Sequence, residues 1–162
     1  MLVEDNNIKF LGDEIHCKLD IYPPFVMIDS FEVNLIEKAA TSTLRLHQDA
    51  WYFKSHLPGE RVFPASLLTE SMLQTMVLLL YSLFGHGQER SFITNISIKI
   101  RKKVEPGMEV LNECELVSEK RGIYKLKAVA KTLEGNVAEG VFDYASPRFM
   151  PTPVTQTKYD ND

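Results

Sequence analysis

In the stretch GIYKLKAVAK the apolar positions Tyr124, Leu126, Ala128 and Ala130 alternate with Lys125, Lys127 and Lys131. A period of two marks a strand with one buried face. RSFITNISIKIRKK, VLNECELVSE and NVAEGVFDYA read as further strands, punctuated by VEPGME, KRG and EGN. Upstream, FVMIDSFEVNL and KAATSTLRLHQ are rich in β-branched and aromatic residues and predict two strands between about residues 25 and 47. Residues 1–20 carry no clear period, and YPPFVMID enters extended because of its prolines.

One segment breaks the alternation. ASLLTESMLQTMVLLLYSLFGHG has no proline or glycine until Gly85, and Leu, Met and Val fall on nearly every side of a helical wheel. It predicts a long helix buried nearly all round, with Ser66 as N-cap and Gly85 and Gly87 as the stop. The preceding DAWYFKSHLPGERVFP reads as a loop punctuated by Pro58, Gly59 and Pro64. The pattern is therefore α+β: one long central apolar helix wrapped by a curved antiparallel sheet of five or six strands. It forms a single domain over 1–147, with a flexible polar tail at 148–162. Such a sheet hides only part of the helix, and its open edge invites a second copy.

Composition narrows the function classes. The chain has 162 residues, 44% hydrophobic and 25% charged, with a formal net charge of -4. No basic field argues for nucleic acid, and neither a zinc spacing nor a Gly-rich phosphate loop is present. No metal or cofactor is expected. Cys17 and Cys114 read as two reduced, half-buried thiols. MLVEDNNIKF lacks a basic n-region, and the apolar run MVLLLYSLF is too short to span a bilayer, so a cytoplasmic protein with no membrane association is expected.

Candidate chemistry sits in HLPGERVFPASLLTE, which places His56 in a Pro/Gly turn and Glu70 inside the apolar helix. Buried carboxylates are rare because desolvation is costly, so Glu70 needs a reason. His56, Pro58, Pro64, Glu70 and Gln74 fall without a gap at the spacing of the β-hydroxyacyl-(acyl carrier protein) dehydratases of the FabZ/FabA type. YPPFVMID and ITNISIKIRKKVEPGMEV are similar to two further segments of that family, so the resemblance covers roughly residues 20–145. Departures are Ser55 and Ala65 where the family has glycine, Leu57 where it has phenylalanine and Arg61 where it has proline.

The resemblance implies the hotdog fold and dehydration of a β-hydroxyacyl thioester to the trans-2-enoyl thioester, in fatty acid or polyketide-type biosynthesis. It also implies a phosphopantetheine-linked substrate on acyl carrier protein. It implies, further, a homodimer or a trimer of dimers, with His56 and Glu70 meeting across the dimer interface. His56 suits the base, since imidazole titrates near neutrality. Glu70 among Leu67, Leu68, Met72 and Leu73 suits the acid, since an apolar setting keeps a carboxyl protonated. A backbone N–H near Ala65 would polarise the thioester carbonyl. Phe63, Pro64, Ala65, Ser66 and Gln74 are the substrate-binding candidates. Lys99, Arg101 and Lys103, on one face of a strand, read as a carrier-protein docking patch or a solvated face, with Arg61 and Lys54 as possible additions. His16, His47 and His86 read as ordinary surface or turn residues. Isomerisation or thioester hydrolysis on the same fold, and a non-catalytic acyl-binding protein, are the alternatives.

Overall fold

The computed structural model describes residues 6–85 and 92–146, so the tail, His86 and Gly87 lie outside the described residues. Among the described residues the alternating segments form seven antiparallel strands: β1 Asn7–Leu11, β2 Ser30–Asn34, β3 Ala39–Arg45, β4 Phe92–Ile100, β5 Glu109–Lys120, β6 Ile123–Thr132 and β7 Gly135–Ala145. They make one sheet in the order β1-β2-β3-β5-β6-β7-β4. Three helices interrupt them, α1 Asp13–Leu19, α2 Trp51–Ser55 and α3 Ala65–Phe84. Between the sheet neighbours β3 and β5 the chain makes α2, α3 and the far edge strand β4, and α3 packs against β2, β3, β5 and β6. This is the helix-in-sheet arrangement expected from the alternation.

The parity read in GIYKLKAVAK holds. Tyr124, Leu126, Ala128 and Ala130 are buried, and Lys125 and Lys127 are exposed. Ala40, Leu44, Val110 and Cys114 continue the inner face, where Leu68, Met72, Met76 and Leu79 of α3 complete the core. Burial pushes the Cys114 thiol up to about 12, whereas Cys17 is exposed; both are free, so neither is the half-buried thiol expected.

A polar seam runs through this contact. Ser71 Oγ donates to Leu68 O (2.9 Å) and Thr75 Oγ1 to Ser71 O (2.7 Å), which leaves both hydroxyls as acceptors. The Asn112 amide then donates to Ser42 Oγ (3.2 Å) and Ser71 Oγ (3.1 Å), and the Ser42 hydroxyl donates to Thr75 Oγ1 (2.6 Å). Breaking such a chain strands buried polar groups, so it fixes how α3 is rotated over β3 and β5.

Several expectations need correction. The helix is not buried all round: Leu67, Glu70, Leu73, Val77 and Tyr81, spaced three or four residues apart, form a half-exposed stripe. Pro64, not Ser66, is the N-cap of α3, and no side chain caps the helix. The proline presets φ at -58, and its carbonyl accepts from Leu67 N and Leu68 N, both at 3.0 Å. Ser66 lies exposed in the first turn. The segment before α3 is not all loop, because α2 forms in it. The strand count rises to seven partly through β1, an edge strand with only Phe10 half-buried, stacked on Phe31 at 5.8 Å. The run MVLLLYSLF lies within a 20-residue helix that is long and apolar enough to cross a membrane, though half of its apolar window is buried inside the fold.

Leu79 is fully buried where α3 meets the sheet. Leu79→Ala should cost about 2–5 kcal/mol in urea unfolding with an unchanged m-value; a loss below about 1 kcal/mol would mean that the core there is loosely packed.

Candidate active site

His56 is carried by a well-anchored scaffold. Tyr52 and Phe53 of α2 are buried, and Tyr52 packs edge-on against Phe53 at 4.8 Å and Phe63 at 4.9 Å. His56 is the C-cap of α2, its N–H donating to Tyr52 O at 3.0 Å, and its side chain is exposed. The chain then turns tightly. Leu57 O accepts from Glu60 N (2.8 Å) and Arg61 N (3.1 Å), and Phe63 N donates to Val104 O (2.8 Å), returning the loop to the sheet.

A cavity of about 370 Å³ opens between this loop, the start of α3 and the end of β4, lined by His56, Phe63, Ala65, Leu68 and Arg101–Val104. Ala65 opens α3, where backbone N–H groups have no intrahelical acceptor and the helix dipole is positive. The cavity thus presents an imidazole, helix N–H donors and cationic side chains together. Two larger hollows, about 550 and 830 Å³, are lined by neither His56 nor Glu70.

Glu70 is held differently. Gln74 Oε1 accepts from Met27 N at 2.8 Å, and its Nε2 donates to Phe25 O and to Glu70 Oε1, both at 2.9 Å. Both amide protons are committed, and flipping the amide would break all three bonds. Glu70 Oε1 is therefore an acceptor, which leaves Oε2 as the oxygen able to carry a proton. Burial raises the Glu70 pKa, and the Gln74 hydrogen bond only partly opposes it. Burial thus shifts the carboxyl toward its neutral form, with Oε2 the one atom placed to donate.

The two groups lie on different sides of α3. At about 100° per residue, Glu70 is about 140° round the helix from Ala65 and about 160° from Leu68, and it is not among the residues lining the His56 cavity. The candidates His56, Phe63, Ala65, Arg101 and Lys103 come together there. Pro64 is buried as the helix cap, and Ser66 is exposed and caps nothing. The shared strand face expected of the docking triad is corrected too. β4 ends at Ile100, where Arg101 N and Lys102 N both turn to Val137 O (2.7 and 3.3 Å), so Lys99, Arg101 and Lys103 do not share a strand face. Lys99 does not line the cavity and Lys102 does. Arg101 is paired with Glu139, and Lys102 Nζ donates to Glu134 O at 2.7 Å. The backbone partners of Gln74 were missed from sequence, although YPPFVMID and Gln74 both belong to the matched segments.

A family model for the FabA-like domain matches residues 22–140. The chain belongs to the FabA-like family. A 3-hydroxyacyl-[acyl-carrier-protein] dehydratase FabZ of Vibrio atlanticus is 34% identical over 111 residues, 67% of this chain and 74% of the relative. Another FabZ, of Pectobacterium atrosepticum, is 32% identical over 54% of this chain and 59% of the relative. Among solved structures, a hot-dog-like protein of Thermanaerovibrio acidaminovorans superposes with TM-score 0.58 at 15% identity, covering 67% of this chain and 79% of its own. A hypothetical thioesterase of Streptococcus pneumoniae with coenzyme A superposes with TM-score 0.56 at 17% identity, covering 68% and 79%. These last two likenesses establish the hotdog fold of this FabA-like chain.

The raised Glu70 pKa sets a pH dependence. The folded state holds this proton more tightly than the unfolded chain, so the contribution is fully present below the ordinary carboxyl pKa and is lost as pH rises through the folded value. Glu70→Gln, which can still accept from Gln74, should therefore melt higher than wild type at pH 7, with the gap closing on acidification. A variant that melts lower at pH 7 and converges with wild type nowhere would contradict the neutral-acid reading.

Proposed function

We propose that this chain removes water from a 3-hydroxyacyl chain carried as a thioester on acyl carrier protein, giving the trans-2-enoyl thioester in fatty acid synthesis. His56 takes the α-proton. Glu70 gives the proton on Oε2 to the departing β-hydroxyl, which leaves as water. The helix N–H at Ala65 binds the thioester carbonyl as negative charge develops on it. The observation that carries the reading is the Glu70–Gln74 pair, a carboxyl biased toward neutrality with one oxygen left to donate.

Because His56 and Glu70 face different sides of α3, the working site is assembled from two protomers, the His56 cavity of one meeting the Glu70 stripe of the other. The exposed apolar positions Ile96 and Ile100 of the edge strand β4 offer a surface for that pairing. Leu67, Leu73 and Val77 beside Glu70 supply an apolar wall for the acyl chain. Lys102 and Lys103 at the cavity suit the phosphate of the carrier's pantetheine arm. The reading places the protein in the cytoplasm, which its free cysteines suit.

The test offers β-hydroxyacyl chains on carrier protein and on a short pantetheine thioester, followed by mass. Wild type should release one water from both. His56→Ala and Glu70→Gln should each lower kcat by about two to four powers of ten. Lys103→Glu should raise KM for the carrier-bound substrate alone. Appearance of the free acid would overturn dehydration in favour of thioester hydrolysis, and binding without turnover would leave an acyl-binding protein.

A further inference from the structure

The His56 loop is closed at both ends by backbone hydrogen bonds, His56 N to Tyr52 O and Phe63 N to Val104 O. Between them the turn bends through two non-glycine residues with positive φ, Leu57 at 45° and Arg61 at 49°. Such a conformation is costly for residues with a Cβ and persists only where the surroundings hold it. One side chain reaches out of the turn to do so: Arg61 Nη2 donates to Gln48 O. The acceptor is itself firmly seated. Gly107 N donates to Leu46 O at 2.6 Å and Leu46 N to Met108 O at 2.9 Å, which ties the Gln48 segment to the turn before β5. The Gln48 side chain packs so closely there that a Cβ on Gly107 would lie 2.9 Å from its Nε2.

We propose that Arg61 is the positioning residue of the His56 loop, its guanidinium tying the turn after the histidine to the backbone of Gln48 and so aiming the imidazole into the cavity beside Ala65. This rests on the reading of His56 as the base. Arg61 touches no reacting atom; it acts through the turn whose backbone, Leu57 O with Glu60 N and Arg61 N, sets the direction in which His56 leaves α2.

The experiment compares Arg61→Ala, Arg61→Lys and His56→Ala in the full chain, on carrier-bound and short pantetheine substrates. Amide exchange at Glu60 and Arg61 is followed alongside. Arg61→Ala should lower kcat about tenfold to a hundredfold on both substrates with KM little changed. Amide exchange at residues 60 and 61 should quicken, and the melting temperature should hold, because the bond lies at an exposed loop. Arg61→Lys, which keeps a cationic N–H donor on a long side chain, should recover much of the rate. Unchanged kcat and exchange in Arg61→Ala would overturn the proposal. A loss confined to KM for the carrier-bound substrate would also overturn it, making Arg61 a docking cation. If His56→Ala keeps the wild-type rate, the reading of His56 fails separately, and a rate loss in Arg61→Ala beside it would show that Arg61 serves some other group.

Discussion

One sheet covers one side of a helix, and α3 is apolar or half-buried on more sides than that. The rotation at which α3 meets the sheet therefore decides the rest of the molecule. The Ser42–Asn112–Ser71–Thr75 seam sets that rotation with directional bonds, where Leu and Met side chains alone would tolerate slippage. With Ser71 and Thr75 turned onto β3 and β5, their neighbours Glu70 and Gln74 fall where the segment Phe25–Met27 can reach them. A turn of one residue, about 100°, would bring Glu70 into the seam and bury a carboxyl with no partner placed for it.

The same constraint sorts the chemistry. Glu70 needs a setting that disfavours its anion yet leaves one oxygen free: burial supplies the first, against the opposing pull of the Gln74 hydrogen bond, and the Gln74 amide supplies the second by committing Oε1 and leaving Oε2. His56 is exposed instead, held by a turn at the end of a short aromatic-anchored helix. Placing both beside each other in one protomer would pair base and acid directly and blunt both. In the proposed two-protomer site, separating them round α3 keeps their environments distinct.

The sequence made the sheet of the second half legible, since β5, β6 and β7 each have one buried face and so alternate. It hid β1, because an edge strand with a single half-buried residue shows no period, and α1, whose seven residues bury only Ile15 and Leu19. Ser66 looked like a cap by residue type, but Pro64, two residues earlier, already presets the backbone. The triad of Lys99, Arg101 and Lys103 was placed by continuing a strand period past Ile100, where the backbone in fact turns to Val137. His56, Glu70 and Gln74 were legible as a spacing, and the Glu70–Gln74 bond as an i, i+4 relation. What could not be read was the far half of the clamp, Phe25 O and Met27 N, because long-range backbone partners leave no mark on residue type.

The most direct test of the central claim, that one functional site draws His56 from one protomer and Glu70 from another, is complementation. Purified His56→Ala and Glu70→Gln proteins are mixed under conditions where protomer exchange is verified by mass labelling, and dehydration is assayed. Mixed dimers carry one doubly defective site and one intact site, so at full exchange of equal amounts about a quarter of wild-type activity should return. No recovery despite confirmed exchange would place both groups in a single protomer and contradict the account.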